Sequence, residues 1–141
     1  MLPDGGQEKI NLHTNDGKMG YQIKKLEIFP NAPGRSDSEF VIKIFSIEQT
    51  SVPTSAATVD FSDQTLLATA YFHQKDNTAY DTGMVIVFDN MTFNQDIFVT
   101  LTDQHSNDTF CNYHIELEQV KLDLSENTVA TLKDIRNITG Q

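Results

Sequence analysis

Two groups of residues in this 141-residue sequence have the chemistry to hold a metal ion or to move a proton. They are four histidines, His13, His73, His105 and His114, and two acid-bearing stretches at 60–63 and 103–108. The histidines occupy separate segments. No pair has the HxH or HExxH spacing that puts two imidazoles on one metal from a single element, so a site would have to draw on distant strands. His114, between Asn112 and Glu116, falls on the polar side of an alternating stretch and reads as an exposed strand histidine. The acidic stretches are oxygen-rich, as a hard cation requires. Neither has the alternating carboxylates, glycine and distal Glu of an EF-hand, and both read as solvated turns. Serine nucleophile elbows and phosphate-cradling glycine loops are missing from the sequence. The expectation is a chain that is not an enzyme, with no catalytic residue, no metal and no cofactor.

Cys111 is the sole cysteine, which rules out a disulfide within the chain and every CxxC site. Between Phe110 and Tyr113 it reads as a small buried apolar residue rather than a nucleophile. There is no Trp to stack a sugar. Tyr80, among Asp76, Asn77 and Asp81, is the candidate platform for one, against the plainer reading of a ring covering a strand edge.

Charge narrows the partners. With 20 acidic and 10 basic residues the formal net charge is -10, and Lys24–Lys25 is the only adjacent basic pair, so no nucleic-acid partner is expected. Residues 1–10 contain no apolar signal region, and no stretch approaches the roughly twenty apolar residues of a bilayer span. Neither classical secretion nor a membrane is expected. The Asn-x-Ser/Thr triplets at Asn90, Asn107 and Asn137 read as turn and loop asparagines.

The elements that must position these groups are strands. Between 110 and 118, Tyr113, Ile115 and Leu117 alternate with Asn112, His114, Glu116 and Glu118, the pattern of a half-buried strand. The apolar set then moves to Val120 and Leu122, which predicts a bulge near Glu118 and Gln119. A turn at 124–127 and a return strand at 128–135 follow, with a helix capped by Ser125 over 125–135 as the alternative. Upstream, strands are predicted at 9–13, 21–29, 39–48, 58–61, 65–73, 83–88 and 96–102, separated by loops rich in Asn, Asp, Ser and Pro. The stretch 39–48 is apolar on both pleat faces, Phe40, Ile42 and Ile44 on one and Val41, Phe45 and Ile47 on the other. It is therefore either a central strand covered on its outer side or part of a subunit interface. The fold class is all-β: a two-sheet antiparallel β-sandwich of seven to nine strands, jelly-roll-like or immunoglobulin-like. The glycine-rich residues 1–20 are read as an extended N-terminal arm and 21–141 as one sandwich domain.

The wording of LEIFPNAPGRSDSEFVIKIF (26–45) and CNYHIELEQVKLDLSENTVATLKDIRN (111–137) resembles small virion-associated proteins of marine tailed bacteriophages, of the decoration and accessory kind. The resemblance covers about a third of the chain and carries no catalytic signature. It implies a virion structural protein, assembled in the host cytoplasm, whose partners are its own copies and a capsid or other virion protein. On that reading Ile10, Leu12, Val41, Phe45 and Ile47 are the candidate interface residues. The alternative is a carbohydrate- or host-surface-binding sandwich module with Tyr80 at its site.

Overall fold

A computed structural model of the chain describes residues 1–12, 18–33, 37–55, 57–74, 82–88, 91–105 and 110–122. His13, Tyr80 and residues 123–141, with the return strand and its helical alternative, lie outside these. The described residues form eight strands and no helix. In chain order they are β1 (Leu2–Pro3), β2 (Gln7–Ile10), β3 (Met19–Pro30), β4 (Ser38–Phe45), β5 (Leu66–Gln74), β6 (Thr82–Val87), β7 (Ile97–Asp103) and β8 (Phe110–Lys121). They make two antiparallel sheets, β1-β8-β3 and β2-β7-β4-β5-β6. The fold is an all-β sandwich.

The pairing is nested: β4 with β5, β2 with β7 and β1 with β8. A long hairpin rolled over itself gives this order, which is the jelly-roll winding. The immunoglobulin order does not fit, because here the first described strand pairs with the last. The fourth pair that nesting would give, β3 with β6, has no ladder: β6 pairs with β5 in the other sheet and only touches β3. Residues 1–12 are built into both sheets. The chain leaves β1 through Asp4–Gly6, where Gly5 has φ 74, and the Gly5 amide donates to Leu101 O at 2.9 Å while the Leu101 amide donates to Gly6 O at 3.1 Å. A side chain at Gly5 is doubly disfavoured, by that left-handed φ and by Thr54 Cγ2, which would lie 2.7 Å from its Cβ.

Period-two alternation sorts the side chains into layers. Ile23 and Leu26 of β3, Phe40, Ile42 and Ile44 of β4, Ala68 and Ala70 of β5, and Ile97, Val99 and Leu101 of β7 fill the space between the sheets. The outer face of the three-stranded sheet carries charge instead, with Lys24 paired to Glu118, Lys25 to Glu27, and His114 Nε2 3.4 Å from Glu116. These exposed pairs contribute little to stability and leave that face solvated.

The predicted bulge near Glu118 is absent. β8 runs unbroken opposite β3, and the irregularity lies in β3, where Ile23 faces Leu117 and Lys25 faces Glu116 with Lys24 as the extra residue. The inward set of β3 accordingly passes from Tyr21 and Ile23 to Leu26 and Ile28. Leu122 reaches the interior beyond the end of the strand, beside Gly20, and its amide donates to Lys18 O at 2.8 Å. The strand expected at 58–61 is not formed either, and those residues belong to the segment that covers β4.

That segment, 46–65, accounts for the two-faced strand. β4 is central, between β7 and β5. Its outer residues Val41 and Phe45 are only 4% and 5% exposed although they lie outside the inter-sheet cluster. The connection is tied across this face at successive points. Thr102 Oγ1 donates to Pro53 O at 2.7 Å, Gln104 bonds both the amide and the carbonyl of Ala57, and Lys43 Nζ donates to Thr58 O at 3.1 Å. At the near end the Gln7 side chain donates to Gln49 O and accepts the Gln49 amide. Burial under this cover lowers the Lys43 pKa, and its ammonium sits 5.5 Å from the centre of the Phe45 ring.

Because Lys24 is the one surplus residue between two inward pairs, removing it restores the two-residue period without moving Leu26 off the core face. Deletion of Lys24 is expected to leave a cooperatively folded sandwich within about 1–2 kcal/mol of the parent, while deletion of Glu27 reverses the facing of its neighbours and abolishes the folded baseline. Urea titration of the two variants followed by circular dichroism checks this.

Candidate functional site

Four ionisable side chains from three segments meet where β4 begins, β5 ends and β7 gives way to its turn. Glu39 and His73 are direct cross-strand partners on β4 and β5. One turn of chain after β7 brings His105 to the same place, with its ring centre 6.1 Å from that of His73. Tyr71 Oη donates to Glu39 Oε1 at 2.8 Å, and His105 Nε2 lies 3.5 Å from Glu39 Oε2. Burial, then the Glu39 acceptor, raises the Tyr71 pKa. The sequence holds His73 and His105 32 positions apart, and only the order β7-β4-β5 makes them neighbours.

Asp103 underlies this cluster. It is fully buried, and its Oδ1 accepts the amides of Glu39 at 3.1 Å and His105 at 3.0 Å, while its own amide donates to Asp4 Oδ1 at 2.8 Å. The Gln104 amide adds a bond to Glu39 O at 2.9 Å. A carboxylate read in the sequence as part of a solvated turn is thus the anchor that holds the β7 turn on β4. The remainder of that stretch, 106–108, lies outside the described residues.

The other acidic stretch is used in the same way. Asp60 Oδ1 accepts the Ser62 amide and hydroxyl, at 2.9 and 2.6 Å, and these bonds lower its pKa. Asp63 Oδ1 accepts the Thr65 amide and hydroxyl, at 2.8 and 2.7 Å. Both are side-chain-closed turns. They border an open cleft of about 410 Å³ with Ile47, Gln49 and Gln64 on its walls. Among the described residues no group of three or more His, Cys, Asp and Glu is placed to hold a metal ion.

The candidate interface residues are dispersed. Val41 and Phe45 lie under the 46–65 segment, Ile10 and Leu12 are partly buried against the core, and Ile47 borders the cleft. The exposed large apolar side chains among the described residues are Met1, Met84 and Val85 on β6, Phe29 on β3, Phe110 on β8, and Val59 and Phe61 in the covering segment. The signal for β6 was available, since residues 82–87 contain no charge. Cys111 is buried at the β8–β1 ladder, and burial pushes its thiol up to about 12. Tyr113 is raised as well, by burial first and then by the Glu8 carboxylate.

No protein-family model matches the chain, and neither curated proteins nor solved structures give a match.

Two outcomes follow from this geometry. Asp103→Ala strands the Glu39 and His105 amides and is expected to cost about 2–5 kcal/mol, with Asp103→Asn losing markedly less because it retains an acceptor; chemical denaturation measures both. The Cys111 thiol is expected to be silent toward a disulfide reagent near pH 8 in the folded protein and to react fully in denaturant. Its folded pKa of about 12 exceeds the ordinary thiol value, so the unfolded chain loses this proton first. Stability therefore declines as pH rises from the ordinary thiol range toward 12, and Cys111→Ala should flatten that decline in thermal melts at a series of pH values.

Proposed function

We propose that this chain is a non-enzymatic structural subunit of a bacteriophage virion, a decoration or accessory protein that acts by self-association and by contact with a capsid or another virion protein. One observation carries the reading: the acidic side chains that chemistry would draw on are engaged in holding the chain's own loops. Asp60, Asp63 and Asp103 each accept two bonds from turn residues or neighbouring strands, and Asp96 accepts the Leu12 amide at 2.8 Å. Such a molecule is built to persist in one shape.

The resemblance supports the same reading. The described part of its first stretch includes the end of β3 and the whole of central β4, and the described part of its second lies on β8, which pairs with β3 along nearly its full length. The acidic composition suits a particle surface that must stay dispersed, since like charge keeps assembled copies from clumping.

The test is to locate the protein. Purified particles of the parent phage, analysed by quantitative mass spectrometry, are expected to contain it in a fixed ratio to the major capsid protein, and recombinant protein should bind particles that lack it. Absence from particles, together with no binding to capsids, contradicts the proposal.

A further inference from the structure

Residues 1–12 are a separable piece of the sandwich. They carry their own turn, closed by the Gly6 amide on Pro3 O at 2.9 Å, and they supply one edge strand to each sheet, β1 on β8 and β2 on β7. Neither strand forms a hairpin with its successor. β2 is followed by β3, which lies in the other sheet at the edge opposite β1. Lifting residues 1–12 away therefore leaves the ladder of β8 with β3, and those joining β7, β4, β5 and β6, whole. It also bares the edges of β7 and β8 together, beside Val99, Leu101 and Cys111, all fully buried. Two bare edges of that kind invite refilling by another strand.

We infer that residues 1–12 are exchanged between two copies of this chain, the arm of each completing both sheets of the other about a two-fold axis. The slot selects its occupant. At the position of Gly5 it takes a residue with φ 74 that brings no Cβ against Thr54. One position earlier it takes an acceptor for the Asp103 amide, which Asp4 Oδ1 meets at 2.8 Å. At the far end Asp96 accepts the Leu12 amide at 2.8 Å and holds Lys9 Nζ at 3.2 Å. Between these points Gln7 binds Gln49, and the Glu8 carboxylate meets Tyr113. The segment that meets all of these is the one docked there, and a second copy carries the same segment. Docking within a chain and between chains makes the same contacts, so concentration decides between them. The six links from Leu12 to Lys18 extend to about 20 Å, and a tether of that length holds its own arm at an effective concentration on the order of mM. Copies packed side by side on a particle reach that range. This names the contact behind the self-association proposed above and rests on that reading.

The Lys9–Asp96 pair gives a test without a mutation. Equal parts of isotope-labelled and unlabelled protein are unfolded, mixed, refolded at about 1 mM and joined with a zero-length carbodiimide. Full exchange is expected to put about half of the Lys9–Asp96 cross-linked peptides in mixed-isotope form, and refolding at about 1 µM to return them to single-isotope form. Single-isotope peptides alone at the higher concentration overturn the inference. Leu2→Cys gives a second reading, because Leu2 faces Cys111 in register. Oxidation after concentrated refolding is expected to give a covalent dimer bridged between position 2 and Cys111. An intrachain-bridged monomer at both concentrations, or a dimer bridged any other way, contradicts the exchange. Failure of the exchange in a protein that is found in particles removes the arm contact and leaves the virion reading standing; exchange in a protein absent from particles does the reverse.

Discussion

Everything in this fold answers to one constraint: β4 is apolar on both faces and sits at the centre of its sheet. Phe40, Ile42 and Ile44 point into the sandwich, as any inner face does. Val41 and Phe45 point the other way and must also be kept from water, at roughly 1.5–3 kcal/mol for each large side chain. The chain meets this demand with its own connection. Residues 46–55 and 57–65 lie over β4 and β7, and polar bonds from Thr102, Gln104, Lys43 and Gln7 hold them in place. A sandwich of two layers thus acquires a partial third, made of irregular backbone whose carbonyls are met by side chains from the sheet below.

The same logic explains where charge goes. Acidic side chains cannot enter the interior unpaired, so those that are buried are bound to main-chain amides, Asp103 above all. Those on the outer face of the three-stranded sheet are left in water beside Lys24, Lys25 and His114. The surplus of negative charge is therefore a property of the surface, and it makes a surface without charge, such as β6, distinctive. Among the described residues β3 and β6 each ladder with one strand only, β8 and β5, and not with each other.

Much of this was legible in the residues. Alternating and two-faced patterns located six of the eight strands to within a few positions, and the unbroken run at 84–88 marked a seventh, β6. Two-letter β1 was not legible, since two residues cannot display a period. The bulge was placed on the wrong strand: Val120 and Leu122 looked like a change of parity in β8, while the real change, Ile23 to Leu26 across two lysines, stood in the sequence with equal clarity. For β4 the pattern stated that the second face was covered and left open by what; the answer depended on a loop of small polar residues with no periodicity to announce it. The clustering of His73, His105 and Glu39 was invisible because sheet order, which no local pattern encodes, brings them together. Composition anticipated that the loop acids were turn residues, but the burial of Asp103 depends on tertiary neighbours.

The central claim is that the outer face of β4 is satisfied within one chain. A sample mixing equal parts of isotope-labelled and unlabelled protein tests it directly, because filtered nuclear Overhauser spectra separate contacts within a chain from contacts between chains. The account predicts that Val41 and Phe45 show contacts to the 46–65 segment within the labelled chain and none across chains. Intermolecular contacts to either side chain would contradict it.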